Sequence, residues 1–127
     1  MSALTLSLLP GNFGVARLPP GSAVPPWVSG KGFWAVVSAS DELTLVCDQS
    51  RIPTDITCQR DWACLRTIGP FAFDESGIVA ALIAPLSAAD LGVFVLCTFD
   101  GEHLMVAQSD LPRALDILSS AGHVLAP

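Results

Sequence analysis

A faint repeat with a period of about sixty residues constrains this chain more than any other feature. Pro10, Phe13, Gly32 and Glu42 recur as Pro70, Phe73, Gly92 and Glu102. After a one-residue slip, Leu45, Gln49, Ser50 and Pro53 recur as Leu104, Gln108, Ser109 and Pro112. Each copy runs apolar strand, acidic turn, second apolar strand, then Gln-Ser and a proline. A pattern used twice predicts one supersecondary unit used twice, with neighbours burying each other's apolar faces. The seam between two such units is a common place for a ligand.

A chain of 127 residues has room for one domain, or for two small halves sharing a core. The sequence divides at residue 60, into an N-terminal unit of residues 1–60 and a C-terminal unit of residues 61–127, because the stretch 48–61 is polar and poorly patterned. Hydrophobic residues make up 51% and charged residues 14%, a balance that excludes a disordered chain. The net charge of −6 argues against a nucleic-acid partner, since that affinity comes largely from Lys and Arg neutralising phosphates. The longest apolar run, Ile78 to Leu86, is too short and too broken by Pro85 to span a bilayer. Met1 to Pro10 has neither the basic start nor the long apolar core of a secretory signal, so the expected location is the cytoplasm. None of the four cysteines sits in a Cys-x-x-Cys pair, and no His lies at ligand spacing from them. Neither a metal site nor a disulfide is expected.

Alternation predicts strands over 4–9, 12–18, 33–38 and 43–47. Four prolines and a glycine within 19–26 exclude a regular helix there. Trp27 should pin that loop by burial, and Trp27, Trp34 and Trp62 read as core or interface anchors. Residues 48–61 hold one short helical turn at most, and a strand follows over 62–69. Asp74 or Glu75 can cap a helix starting near Ser76, with Ile78, Val79, Leu82, Ile83 and Leu86 on one face. Pro85 should kink its last turn, and Asp90 and Gly92 should close it. Residues 93–97 read as a strand, Asp100-Gly101 as a type I′ turn and 103–107 as the returning strand. His103 on that strand reads as a surface or strand-pairing residue. Ser109 should cap a final helix with Pro112 in its first turn, a buried stripe at Leu111, Leu115 and Leu118, and Gly122 at its end. His123 then falls beyond the cap and should be exposed. The pattern is α+β and ferredoxin-like: two tandem βαββαβ units with antiparallel sheets, the first helix-poor because the proline-rich loop replaces its first helix.

The segment Phe73-Asp74-Glu75-Ser76-Gly77-Ile78-Val79-Ala80, followed by Phe94-Val95-Leu96-Cys97-Thr98-Phe99-Asp100, resembles the ACT domain superfamily. More narrowly, the chain looks like the short bacterial proteins made of two tandem ACT-like units. It is also similar to the ACT pairs of the CASTOR arginine sensors and of aspartate kinases. The likeness runs from Leu6-Ser7-Leu8-Leu9-Pro10-Gly11 through Pro26-Trp27 to Ala121-Gly122-His123. The resemblance implies a regulatory module, no enzyme and no cofactor, with an amino acid or similar zwitterion bound at an ACT–ACT interface. It places that ligand against the helix-opening loop, Asp74, Glu75, Ser76, Gly77 and Ile78, and the strand end, Thr98, Phe99 and Asp100. The equivalent loop of the first half, Phe13 to Arg17, has no Ser-Gly pair and no following helix.

Elementary chemistry agrees with that placement. A helix N-terminus offers free N–H groups and a positive dipole end to a carboxylate. Gly77 lets a ligand approach its backbone closely. Glu75 and Asp100 can receive an ammonium or guanidinium group. The plainer readings are that Asp74, Glu75 and Ser76 only cap a helix and that Asp100 only turns a hairpin. Two other function classes compete with binding. One is a thiol-dependent enzyme using Cys97 or Cys64 with His103 and Asp100, disfavoured because both cysteines lie in apolar runs where burial opposes the thiolate. The other is an assembly module without a ligand. Unpaired sheet edges and a high apolar content also predict a homodimer or a higher homo-oligomer.

Overall fold

The computed structural model describes residues 3–127. In chain order these form β1 (Thr5–Leu8), β2 (Phe13–Leu18), β3 (Ala35–Ser38), β4 (Leu43–Asp48), β5 (Cys58–Thr67), α1 (Ile78–Ala88), β6 (Phe94–Cys97), β7 (Glu102–Ala107), α2 (Leu111–Ser120) and β8 (Val124–Leu125). Single 3₁₀ turns follow β4 and β7, at Gln49–Arg51 and Gln108–Asp110. The fold is α+β and ferredoxin-like. No helix of the described residues is long and apolar enough to cross a membrane.

Residues 3–10 group with 63–127 as one compact unit, and residues 11–62 form the other. The division drawn from the sequence lies at residue 60; in space the break falls inside β5, after Trp62, and the first strand goes with the later residues. The reason is strand pairing. Leu6 and Leu8 face Thr67 and Leu65 across an antiparallel ladder, and Thr5 and Leu6 face Val124 and Leu125 across a parallel one. In this larger unit β5, α1, β6, β7, α2 and β8 supply a βαββαβ succession. Its strands lie in the order β6, β7, β5, β1, β8, so β1 stands between the first and last strands of the motif. Both helices pack on the sheet through one core that includes Leu6, Leu65, Leu82, Leu86, Leu104 and Leu118. Truncating a fully buried leucine in such a core to alanine costs about 2–5 kcal/mol.

The α1 face differs in detail from the expected stripe. Ala81 is buried with Ile78, Leu82 and Leu86, whereas Val79 and Ile83 are only half-buried. The helix closes with Asp90 in the left-handed region at φ 61° and the Leu91 N–H donating to the Leu86 carbonyl at 3.0 Å, a Schellman closure. On α2 the buried residues are Ala114 and Leu118, with Leu111 and Leu115 half-buried. Ser109 does not cap α2. It lies in the 3₁₀ turn, and Asp110 takes the cap position with no side-chain bond, while Pro112 sits in the first turn as expected. His123 is not exposed: it lies in the core between β1 and α1.

The smaller unit is a sheet in the order β3, β4, β2, β5 over a core of Ala16, Val28, Leu43, Leu45, Cys47 and Ile52. Val28, not Trp27, is its fully buried anchor, and Trp34 is exposed. The Arg51 guanidinium donates to the carbonyls of Trp27, Val28 and Lys31, each at 3.2 Å, and so fixes the loop that stands where a helix was expected to be missing. A bulge in β5 is held by Gln49, whose amide accepts from the Asp61 N–H at 2.6 Å and donates to the Asp61 carboxylate at 3.0 Å. Asp61 there takes φ 65°, an uncommon value for a non-glycine residue.

The repeat is legible in the ladders. Ala35↔Val46 through Ser38↔Leu43 in the first hairpin matches Phe94↔Met105 through Cys97↔Glu102 in the second, every position displaced by 59. Each four-residue loop is closed by the same hydrogen bond, Ala39 N–H to the Glu42 carbonyl and Thr98 N–H to the Gly101 carbonyl. Each returning strand runs into a 3₁₀ turn opened by Gln-Ser. Asp100-Gly101 is therefore not a type I′ turn. Those residues end a four-residue loop, and Gly101 does not take a positive φ.

Candidate functional site

Two loops of the larger unit face each other across a cleft of about 270 Å³. One is the segment between β5 and α1, residues 71–77, and the other is the hairpin loop 98–101. Of the residues that the sequence singles out, Glu75, Gly77, Ile78, Thr98, Phe99 and Asp100 line this cleft; Asp74 and Ser76 do not. Phe71, Phe73, Cys97 and Glu102 line it too and were not anticipated as ligand-binding residues. Their signal is faint, since each reads as an ordinary loop or strand residue until the two loops are brought together.

The helix start also differs from the expected cap. Gly77, not Asp74 or Glu75, occupies the N-cap position of α1, in the left-handed region at φ 87° and with no side-chain cap. A Cβ at Gly77 would meet nothing within 4 Å, so what demands glycine is the backbone conformation, with open space above it. The first N–H groups of α1 are left without intrahelical partners, as at any helix start, and no acidic residue stands in its first turn. Glu75 closes a turn of its own: its N–H donates to the Ala72 carbonyl at 3.0 Å, and its carboxylate accepts from the Ala72 N–H at 3.3 Å.

On the opposite wall the Thr98 N–H and hydroxyl both donate to the Gly101 carbonyl, at 2.7 and 3.1 Å. Behind it the Thr67 hydroxyl accepts from the Glu102 N–H at 2.9 Å and donates to the Glu102 carboxylate at 3.0 Å. A Cβ at Gly101 would lie 2.8 Å from that hydroxyl, and one at Gly69 would lie 2.8 Å from the Asp100 carbonyl oxygen. These two glycines allow the hairpin loop to lie against the end of β5. Asp100 borders a second, larger hollow of about 520 Å³, whose lining includes Arg66, Ser7 and Leu9. The cleft is the better site because it unites a helix N-terminus with the carboxylates of Glu75, Asp100 and Glu102, and none of its lining residues is Lys, Arg or His.

The thiol pair of the enzyme reading does not assemble. Cys64 is fully buried, and that burial pushes its thiol up to about 12, far from a nucleophile's range. Cys97, expected in an apolar interior, is exposed on the cleft wall. It sits opposite Glu102, whereas His103 sits opposite Leu96, so Cys97 and His103 project from opposite faces of the ladder. His103 is itself buried, and burial together with the Arg66 charge holds its pKa below the ordinary value. No group of three or more His, Cys, Asp or Glu among the described residues could hold a metal ion.

Comparison with known proteins agrees with this fold. The profile of the ACT domain family matches residues 57–120, and a second profile, describing an N-terminal domain, matches residues 11–55. The chain belongs to the ACT domain family. Among curated relatives, subunit 1 of the cytosolic arginine sensor for mTORC1 from Bos taurus is 30% identical over 101 residues, 73% of this chain and 31% of the relative. The chain thus spans about a third of the length of the curated relatives it matches. A crystal structure of an Agrobacterium tumefaciens protein is 44% identical with a TM-score of 0.95, covering 99% of this chain and 94% of that one. Aspartate kinase of Clostridium acetobutylicum shares the fold at 17% identity and a TM-score of 0.66, over 88% of this chain and 33% of the enzyme.

Proposed function

We propose that the protein is a cytoplasmic regulatory module that binds an amino acid with a cationic side chain, such as arginine, in the cleft between residues 71–78 and 97–102. One observation carries this reading: a single cleft pairs the open N-terminus of α1 with three carboxylates and no basic lining residue. The ligand carboxylate would meet the N–H groups around Gly77 and Ile78, where the helix dipole favours negative charge. Its α-amino group and cationic side chain would meet Asp100, Glu75 and Glu102. The ACT domain match and the arginine-sensor relatives support the ligand class. Such a module acts by changing what it associates with, not by catalysis.

The cleft is open on its outer side, so we further propose that a second ACT-like unit or a second copy of the chain completes it, the ligand lying at that interface. Support comes from open strand edges: among the described residues β6 pairs only with β7 and β8 only with β1. The test is calorimetry on purified, ligand-stripped protein against the twenty amino acids, with mass by light scattering. Arginine or lysine should bind below millimolar, and Asp100→Asn should weaken binding about 10-fold or more by removing a charged hydrogen-bond acceptor. Absence of any amino-acid binding below millimolar, or an unchanged affinity in Asp100→Asn, rejects the site in favour of a ligand-free assembly module.

A further inference from the structure

We propose that Phe73 and Phe99 form an aromatic clamp at the cleft mouth that reads the charge of the ligand's side chain. The proposal rests on the amino-acid-binding reading above and adds to it the residues that set specificity. At 81% and 77% exposure these are the most exposed large hydrophobic side chains among the described residues. Each stands on a different wall of the cleft, Phe73 on the loop before α1 and Phe99 on the hairpin loop. Their rings nevertheless meet, with centroids 5.6 Å apart and planes tilted by 40°.

The rings cover each other only slightly, since most of the surface of both remains in water. A phenylalanine in that state forgoes the burial that normally holds it in place. Two of them on opposite walls of one cleft, meeting across it yet largely exposed, are placed to cover a third group. The chemistry around them says which group. Glu75, Asp100 and Glu102 make the cleft negative, and an aromatic face attracts a cation lying within about 6 Å of its centroid. A planar guanidinium satisfies both, stacking on the rings while its N–H groups reach the carboxylates. A neutral side chain of the same shape would keep the apolar contact and gain nothing from the ring quadrupole or the acids.

Calorimetry with L-arginine and its uncharged isostere L-citrulline separates these contributions. The proteins are the parent, Phe99→Leu and Phe73→Leu. Leucine keeps an apolar side chain and removes the π face, and because both rings are exposed each variant should keep the parent's Tm. Each substitution should lower arginine affinity about 3- to 30-fold, the range of a cation–π contact, and change citrulline affinity less than about 2-fold. Equal losses for both probes, or no loss for either, would overturn the clamp. So would an unchanged arginine-to-citrulline ratio accompanied by a lower oligomeric mass, which would make the rings an assembly contact. A parent that binds no amino acid rejects the site itself; a parent that binds arginine with both variants unaltered rejects only the clamp.

Discussion

The Leu4 backbone N–H donates to Nδ1 of His123 at 3.0 Å, joining residues 119 positions apart. Because Nδ1 accepts, Nε2 carries the imidazole proton, and Nε2 lies 2.9 Å from the Ala81 carbonyl. That carbonyl is the one Pro85 should have served. A residue at position 85 would donate its N–H to the carbonyl four residues earlier, but proline has no N–H to give. His123 supplies the missing donor, so a buried polar residue repairs a proline placed inside α1.

His123→Ala should therefore destabilise the protein by about 2–4 kcal/mol, because it leaves the Leu4 N–H and the Ala81 carbonyl unpaired in the core. In a Pro85→Ala background the helix regains its own donor to Ala81. The same His123→Ala change should then cost about 1 kcal/mol less. Urea unfolding of the four proteins of this cycle measures the coupling, and additive effects would rule the repair out.

Acid should weaken the fold through His103. Burial, then the Arg66 charge, depress its folded pKa below the unfolded value of 6.5. Between those two values the unfolded chain binds more protons than the native one. Stability is thus complete above pH 6.5 and declines as the pH falls through that interval. Unfolding curves at pH 7.5 and pH 5 should differ, and His103→Gln should reduce the difference.

Gly77 is a conformational requirement more than a helix-propensity one. At φ 87°, valine meets no neighbour but is held in a backbone region that β-branched side chains avoid. Gly77→Val should lower stability by about 1–3 kcal/mol, while Gly77→Asn should keep most of it, since asparagine tolerates left-handed backbone. Equal Tm values for the two variants would contradict this account.

Thiol labelling gives an independent view of the cleft. Cys97 is exposed on its wall, while Cys47 and Cys64 are buried. A maleimide should label Cys97 first, with mass spectrometry locating the adduct. Saturating arginine should slow that reaction several-fold if the ligand occupies the cleft, and leave it unchanged if it binds elsewhere.

The fold was largely legible because its signals are local. Alternation marked the strands, and the apolar spacing of Ile78, Leu82 and Leu86 marked α1, whereas the repeated Gln-Ser steps open 3₁₀ turns that no local pattern announced. What sequence hid was long-range. Nothing near His123 indicates that a proline 38 positions earlier leaves a carbonyl for it, and a residue after a helix-ending glycine looks like surface. The capping residues were misplaced for a related reason: Asp74, Glu75 and Ser109 have the right chemistry, but a left-handed glycine and a 3₁₀ turn claim the positions. At the cleft, the loop residues could be named from the resemblance, whereas the meeting of Phe73 with Phe99 depends on how two loops fold toward each other.

The pairing of β1 with β5 gives the chain an unusual itinerary. Leu8 sits opposite Leu65, and the Leu9 N–H donates to the Cys64 carbonyl at 2.9 Å, so the two points where residues 11–62 leave and rejoin the larger unit are neighbours. In chain order, residues 11–62 are thus an insertion between two adjacent points of the larger unit. A short linker can join those points, so residues 3–10 and 63–127 should fold without the insertion, whereas a cut at residue 60 would strip that unit of β1 and of the core residue Leu6 on it.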